Sequence, residues 1–462
     1  MKSLACAFAF AVPFLTAALV ATPAFADDDH ATPPAPPGPV VAADPPAAPP
    51  AEHAEKDEHA GHDDHDGHGD HHGHKDHHGH GDHDGHGDHH GHGDHDGYGP
   101  HPRGSLDDRW ADIHDWMHMD LGPLQIAPVV LMQVQAIPYV GGDSLLQTGD
   151  PAERGGFRMR RARFGFEGRV FHSVPFKITA EFNSDAKGTA LLHDAYFGYD
   201  KFKPLQIFAG AHDVPFSRSA MTEAGGSALI ERPFAVRAMA PFHQLGVSAR
   251  GSFFSGALKY NAGVYNGLQR TDQFFGGYQE NSAINGNRFD GLTYAARLGS
   301  DPIGNMGHSV QDLHKGDFAL SLGASFFFSN GGTRNIMGIG GDALAHWKGL
   351  HLLAEFLTNH SDPRTVPTQP SGQIATVQSL GVVGELGYMI FKDRLGVSAR
   401  VEWIDPNTSV KDEADSLIVG GGASYHLFHD LLKTQLDFTH RQELSGKALA
   451  NDSLVLQLQL NL

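Results

Sequence analysis

From Leu454 to Leu462 the chain alternates without a break. Leu454, Leu456, Leu458, Leu460 and Leu462 share one parity; Val455, Gln457, Gln459 and Asn461 share the other. A β-strand sends successive side chains to opposite faces, so this segment has one apolar face and one mostly polar face. A strand with lipid on one side and water on the other reads this way. Similar segments, punctuated by Gly, Asn, Asp and Pro, recur from Ile126 onward. They run 126–139, 157–171, 176–183, 191–199, 205–214, 243–253, 257–266 and 290–299, then 317–328, 335–347, 350–358, 378–390, 395–404, 416–427, 431–441 and 452–462. Sixteen segments make an even number, as single-chain bacterial barrels have. The pattern predicts an all-β fold, a transmembrane antiparallel β-barrel of 16 strands over residues 123–462.

Connection lengths give an independent reading. The connections 172–175, 200–204, 254–256, 348–349 and 429–430 are short, and they alternate with the longer 140–156, 267–289, 359–377 and 405–415. The connection 215–242 is the longest, while 300–316 and 329–334 fit the alternation less well. A soluble sandwich has no reason to sort its loops by parity. Aromatics near strand ends, among them Tyr196, Tyr199, Trp347, Tyr388 and Trp403, are candidates for an interfacial girdle.

The residues before the barrel read differently. Lys2, the apolar stretch Leu4–Val20 and Ala24-Phe25-Ala26 mark residues 1–26 as a secretory signal peptide. The lone Cys6 falls inside it, so the mature chain is expected to hold no disulfide, thiolate metal site or cysteine lipid anchor. Residues 27–63 form a Pro/Ala-rich, acidic linker. Residues 64–99 repeat a hexapeptide of Asp, His and Gly in register, with almost nothing apolar to bury, and are expected to be disordered. Residues 100–122 are a junction, where Trp110, Ile113, Trp116 and Met117 recur at the spacing of a short amphipathic helix. The net charge of −20 belongs mainly to the tail: residues 27–100 carry 18 acidic side chains against Lys56 and Lys75. Charge therefore does not choose between an anion and a cation pore.

Parity also assigns the charged residues. A charge facing lipid near the midplane costs about 2–4 kcal/mol, so the charged face of each strand should turn to the lumen. This makes Arg161, Arg163, Glu167, Arg169, Lys177, Glu181, Lys259, Arg400, Glu402, Lys433 and Arg441 pore-lining candidates. Guanidinium groups there could replace water around a phosphate or carboxylate, although the interspersed acids equally fit a mixed, weakly selective wall. In the hexapeptide repeat, His65, His68, His71, His72, His74, His77, His78, His80, His83, His86, His89, His90, His92 and His95 are low-specificity metal ligands. Imidazole suits Zn²⁺, Ni²⁺ and Cu²⁺, with Asp adding oxygen ligands or fixing the ring.

Three blocks in order carry a family likeness: Arg160–Gly168; Leu192–Tyr199 with Phe202-Lys203-Pro204; and Glu231–Ala235 with Leu245-Gly246-Val247. With Arg400–Pro406 farther on, the chain resembles the phosphate-selective porin O and P family. The resemblance implies an outer-membrane barrel of sixteen strands, a homotrimer, inward-folded loops and anion passage along arginines and lysines. It also favours an inward fold for the 215–242 loop, whose Arg218, Glu223, Glu231, Arg232 and Arg237 become constriction candidates. Two features depart from the family: Leu462 stands where an aromatic is usual, and the His/Asp repeat is foreign to it.

The expectation is a passive, anion-favouring outer-membrane diffusion channel of a Gram-negative bacterium, with a periplasmic tail that binds divalent metal. Its partners would be outer-membrane lipid, small inorganic or organic anions, further copies of the chain and the barrel-assembly machinery. No cofactor is required, and no enzyme is expected: no Gly-x-Ser-x-Gly elbow stands out. No basic patch supports nucleic-acid binding. Two alternatives remain open on sequence, a divalent-metal uptake channel and a barrel that merely anchors a metal-scavenging tail.

Overall fold

The computed structural model describes residues 119–142, 155–182, 191–270, 274–280, 291–304, 306, 309–332, 334–364, 375–428 and 431–462. The signal peptide, the linker, the His/Asp repeat with its candidate metal ligands and the junction helix lie outside the described residues.

A two-residue strand, β1 (Met119–Asp120), pairs with β2 (Leu124–Val140). The wall continues through β3 (Gly156–Val170), β4 (Val174–Glu181), β5 (Leu191–Phe202), β6 (Leu205–Asp213), β7 (His243–Phe253), β8 (Leu258–Asn266) and β9 (Leu292–Ile303). It is completed by β10 (Ala319–Ser329), β11 (Arg334–Trp347), β12 (Leu350–Pro363), β13 (Val377–Phe391), β14 (Leu395–Asp405), β15 (Ser416–Phe428), β16 (Leu432–Glu443) and β17 (Ser453–Asn461). Each of β2–β17 pairs antiparallel with its neighbours in sequence, and β17 pairs with β2, so the sixteen strands form a closed barrel. Closure pairs each wall strand along both edges, the condition for crossing hydrocarbon with strands. At the seam, Gln133 Nε2 donates to Gln459 Oε1 and Gln135 Nε2 to Gln457 Oε1, each at 2.7 Å, on the polar face of the alternating last strand.

The faces sort as parity requires. Phe164, Phe166, Val401, Leu456 and Leu458 are exposed on the outside, while Thr179, Glu402, Lys433, Gln435 and Gln457 are buried inside. Tyr199, Trp347 and Tyr388 are exposed as a girdle requires. Tyr196 is not part of a girdle: it shares the inward parity of Asp194 and packs against Phe208 and His212.

One of the two connections that fitted the alternation poorly has a physical reason. The β9–β10 connection sits at the short-turn end yet is long, because it folds into the barrel. Met306 and Val310 pack with Ala228, Leu344 and Leu353. Gly349 N donates to Asp312 Oδ2 at 2.7 Å, and Gln311 Nε2 to Ser424 Oγ at 3.1 Å. The β10–β11 hairpin, at the other end, is short, and Gly267 at the start of the β8–β9 connection lies close against it. A Cβ on Gly267 would stand 2.6 Å from Gly331 Cα.

The lipid face generates a direct test. Val401→Arg puts a charge in the middle of the outward row of β14 and is expected to destabilise the barrel by about 2–4 kcal/mol. A lowered urea midpoint for barrels refolded into lipid vesicles would report it; an unchanged midpoint would place that face away from lipid.

Candidate functional site

The site is built by the longest loop. After β6 the chain turns inward at Ser217, whose φ of 62° lies in the left-handed region. Ser217 caps α1 (Arg218–Met221), its Oγ accepting from Ala220 N at 3.3 Å and donating to Glu355 Oε1 at 3.1 Å. A single 3₁₀ turn at Ala224–Gly226 follows. Pro233, at the start of α2 (Phe234–Met239), supplies a fixed φ that suits helix entry. Ala235 and Ala238, three residues apart on α2, are fully buried and let the helix pack closely against the inner wall. A Cβ on Gly381 would stand 2.9 Å from Ala235 Cβ and 3.1 Å from Met239 Sδ, so the wall residue beneath the helix has to be glycine.

Two forces hold the loop inside. Val214, Phe216, Val236 and Met239 are almost completely buried with Phe327, Ile336, Leu357, Val383, Ile404 and Ile418 of the wall. Each side chain buried in this way contributes about 1.5–3 kcal/mol relative to exposure. Tyr265, Leu268, Phe275 and Tyr278, from the end of β8 and the loop after it, join the same cluster. The second force is polar. Lys433 Nζ donates to Gly225 O at 2.7 Å and to Ser227 O at 3.1 Å, while Ile230 and Ala235 amides donate to Asp437 and Glu402. Arg400 Nη1 donates to Glu231 O at 2.9 Å. Arg218 pairs with Asp342 at 3.0 Å, which also holds Arg297. Glu231 accepts from Arg160 Nε at 2.6 Å and lies 3.2 Å from Arg161. Burial pushes the Glu231 carboxyl up, but Arg160, Arg161 and Arg237 outweigh it and hold it well below the usual range. Buried ion pairs come close to breaking even against apolar packing. Apolar burial therefore supplies the adhesion and the polar contacts fix the position.

The apolar residues of the loop pack against β10–β15, and a space remains along β2–β8, where Met221, Thr222, Glu223 and Arg232 face Arg163, Lys177, Arg250 and Asn261. Lys177 lies 3.3 Å from Glu223 and 3.6 Å from Glu167. Arg163 is ion-paired with Glu181. Arg250 stacks over the Phe208 ring at 3.7 Å. Arg232 donates to the carbonyls of Ser219 and Thr222 and stacks over Phe242 at 5.2 Å. Its charge is thus held by backbone dipoles and a ring face.

The residues singled out by parity do not gather in one place. Of the wall candidates, Arg163 and Lys177 border the open space, with Glu167 and Glu181 as their partners. Arg161, Arg400, Glu402 and Lys433 face inward but are covered by the loop they anchor. Arg441 donates to Ser416 Oγ at 3.0 Å and lies over the Phe275 ring. Arg169 pairs with Asp200, and Lys259 with Asp301, toward the short-turn end. In the loop, Glu223 and Arg232 border the space, Arg218 and Glu231 are anchors, and Arg237 lies over the Phe234 ring.

Strict alternation missed several inward groups. The β2–β3 register slips between Gln133 and Val134, leaving Arg160 as an extra residue, so Arg160 and Arg161 both point inward. The β4–β5 register slips in the same way, and His193 joins Asp194 inside. There His193, Asp194, His212, Asp213 and His243 border the same open space.

A family model described as phosphate-selective porin O and P matches residues 143–325, which bears out the resemblance read from the blocks in that region. No curated protein matches the chain. Among solved structures, OmpT of Vibrio cholerae aligns at 10% identity and a TM-score of 0.49, covering 75% of this chain and 100% of that one. An anion-selective porin from Comamonas acidovorans aligns at 12% and 0.49, covering 73% and 99%. The outer-membrane channel DcaP of Acinetobacter baumannii aligns at 11% and 0.49, covering 74% and 99%.

Glu231 offers a test of the anchoring. Its folded value is depressed, so its contribution is complete above the ordinary 4.5 and is lost as pH falls below that toward the depressed value. Hydrogen exchange of residues 218–240, corrected for intrinsic rates, should show a step of lost protection as pH falls below 4.5. Glu231→Gln leaves two buried arginines short of a partner and should lower the local opening free energy by about 3–5 kcal/mol. Equal protection in the variant would show that packing alone holds the loop.

Proposed function

We propose that this protein is an outer-membrane porin, a passive diffusion channel that favours small anions and works as a homotrimer. Solutes cross beside the 215–242 loop, through the space bordered by β3–β8. The observation that carries the reading is the cationic lining of that space. Arg163, Lys177, Arg232 and Arg250 all border it, and Arg232 and Arg250 stack on aromatic rings. A guanidinium held this way presents its positive charge to a desolvating phosphate or carboxylate. The acids Asp194, Asp213 and Glu223 on the same space temper the preference, so the selectivity is a bias rather than exclusion. The family match over residues 143–325 supports the same reading. No step of bond making or breaking is involved. The His/Asp repeat binds Zn²⁺, Ni²⁺ or Cu²⁺ loosely, through imidazoles closely spaced in the sequence. The tail is periplasmic.

The test is planar-bilayer current under a potassium chloride gradient. The reversal potential should fall on the anion side, and added phosphate should reduce the chloride current. The double variant Arg163→Gln/Arg232→Gln should lower the anion-to-cation permeability ratio by at least about fivefold, the effect of ~1 kcal/mol from even one charge ~4 Å away in water. A cation-side potential in the unaltered protein would overturn the anion reading.

A further inference from the structure

Beside the cationic lining, the same wall holds a cluster of opposite character. His193 and Asp194 lie on β5, Asp213 ends β6 and His243 begins β7. One ligand atom from each of His193, Asp194 and His243 lies within 4.8 Å of the others, and all three residues are buried. His243 Nε2 is 3.0 Å from Asp194 Oδ1 and 3.3 Å from Asp213 Oδ1. The first of these is close to the separation of neighbouring ligands of a tetrahedral ion with bonds of about 2.0–2.2 Å.

The obvious account is a His243 imidazolium between two carboxylates, and it leaves the role of His193 open. His193 and His243 lie ring to ring, with centroids 3.9 Å apart and a tilt of 40°. Two imidazolium rings at that distance repel, so at least one is neutral and offers a nitrogen lone pair. The surroundings have the form of an outer ligand shell. Thr179 Oγ1 donates to Asp194 Oδ2 at 2.7 Å, and His193 Nδ1 lies 3.3 Å from Glu280 Oε2. Such contacts orient ligand carboxylates and imidazoles toward a metal. The bulge at His193 is what turns two successive β5 residues inward.

We propose that His193, His243 and Asp194 form a divalent transition-metal site in the wall of the passage. Two imidazoles and a carboxylate suit Zn²⁺ and its borderline neighbours, whereas Mg²⁺ and Ca²⁺ prefer oxygen alone. Occupancy neutralises Asp194, an acid that opposes the cationic lining. A loaded barrel therefore favours anions more strongly than an empty one. This consequence for current rests on the porin reading; the site itself does not.

Zinc-edge anomalous diffraction from crystals of the full chain soaked in zinc chloride tests the site without any variant. A peak between the His193 and His243 rings and Asp194 is expected; its absence at saturating zinc overturns the proposal, whatever the tail binds. In bilayers, micromolar zinc should move the reversal potential of the full chain farther to the anion side. His193→Gln/His243→Gln, with the tail intact, should raise the zinc concentration for half effect by on the order of tenfold or more. The same zinc response in that variant would overturn the proposal. A chain that shows the zinc peak but carries no current keeps the site and refutes the porin.

Discussion

A sheet that meets hydrocarbon has to close on itself, and the rest of this structure depends on that. Closure through the β17–β2 pairing satisfies the backbone, and the outer row must then be apolar. Strand charges have one direction left, into the lumen. The inner wall thus receives Arg400, Glu402, Lys433, Asp437 and Glu355 together, more charge than a narrow interior can leave unpaired. The 215–242 loop resolves this by bringing carbonyls, amides and Glu231 to them. Its apolar residues meanwhile cover Ile404, Ile418 and Val383 on the same side. On the other side, β3–β8 border the space that the loop leaves.

This asymmetry separates two kinds of inward charge. Those under the loop, such as Arg161 and Arg400, are held by partners in low dielectric and act as structure. Those on the open side, such as Arg232 and Arg250, rest on ring faces and border the space a solute would use. Composition and parity treat both kinds alike. The histidine–aspartate cluster belongs to the open side, so any ion it holds acts on the same field as the arginines.

Much of the barrel was legible because period-two alternation is imposed by the membrane and repeated sixteen times. The segment 243–253 coincides with β7, and the others differ from their strands by a few residues. The inward direction of Arg161, Lys177, Arg400 and Lys433 followed from the same rule. Bulges were not legible, since one extra residue leaves composition unchanged while reversing parity. Arg160 and His193 were missed for that reason. Asp213 and His243 were missed for another: they face each other across β6 and β7, 30 residues apart in sequence, and each sits at a strand end where alternation gives no phase. Nor did parity show which inward charges the loop would cover, because that depends on where a folded loop comes to rest.

The central claim is that the path runs along β3–β8 and not along β13–β16. Cysteine modification tests it most directly, because Cys6 is the chain's one native cysteine. Asn261→Cys on β8 borders the open space, while Ser398→Cys on β14 is buried on the other side. A charged methanethiosulfonate reagent added during bilayer recording should change the current through Asn261→Cys within its reaction time and leave Ser398→Cys unaffected. The reverse pattern would mean that the loop leaves the opposite side of the lumen open, and the account would be wrong at its base.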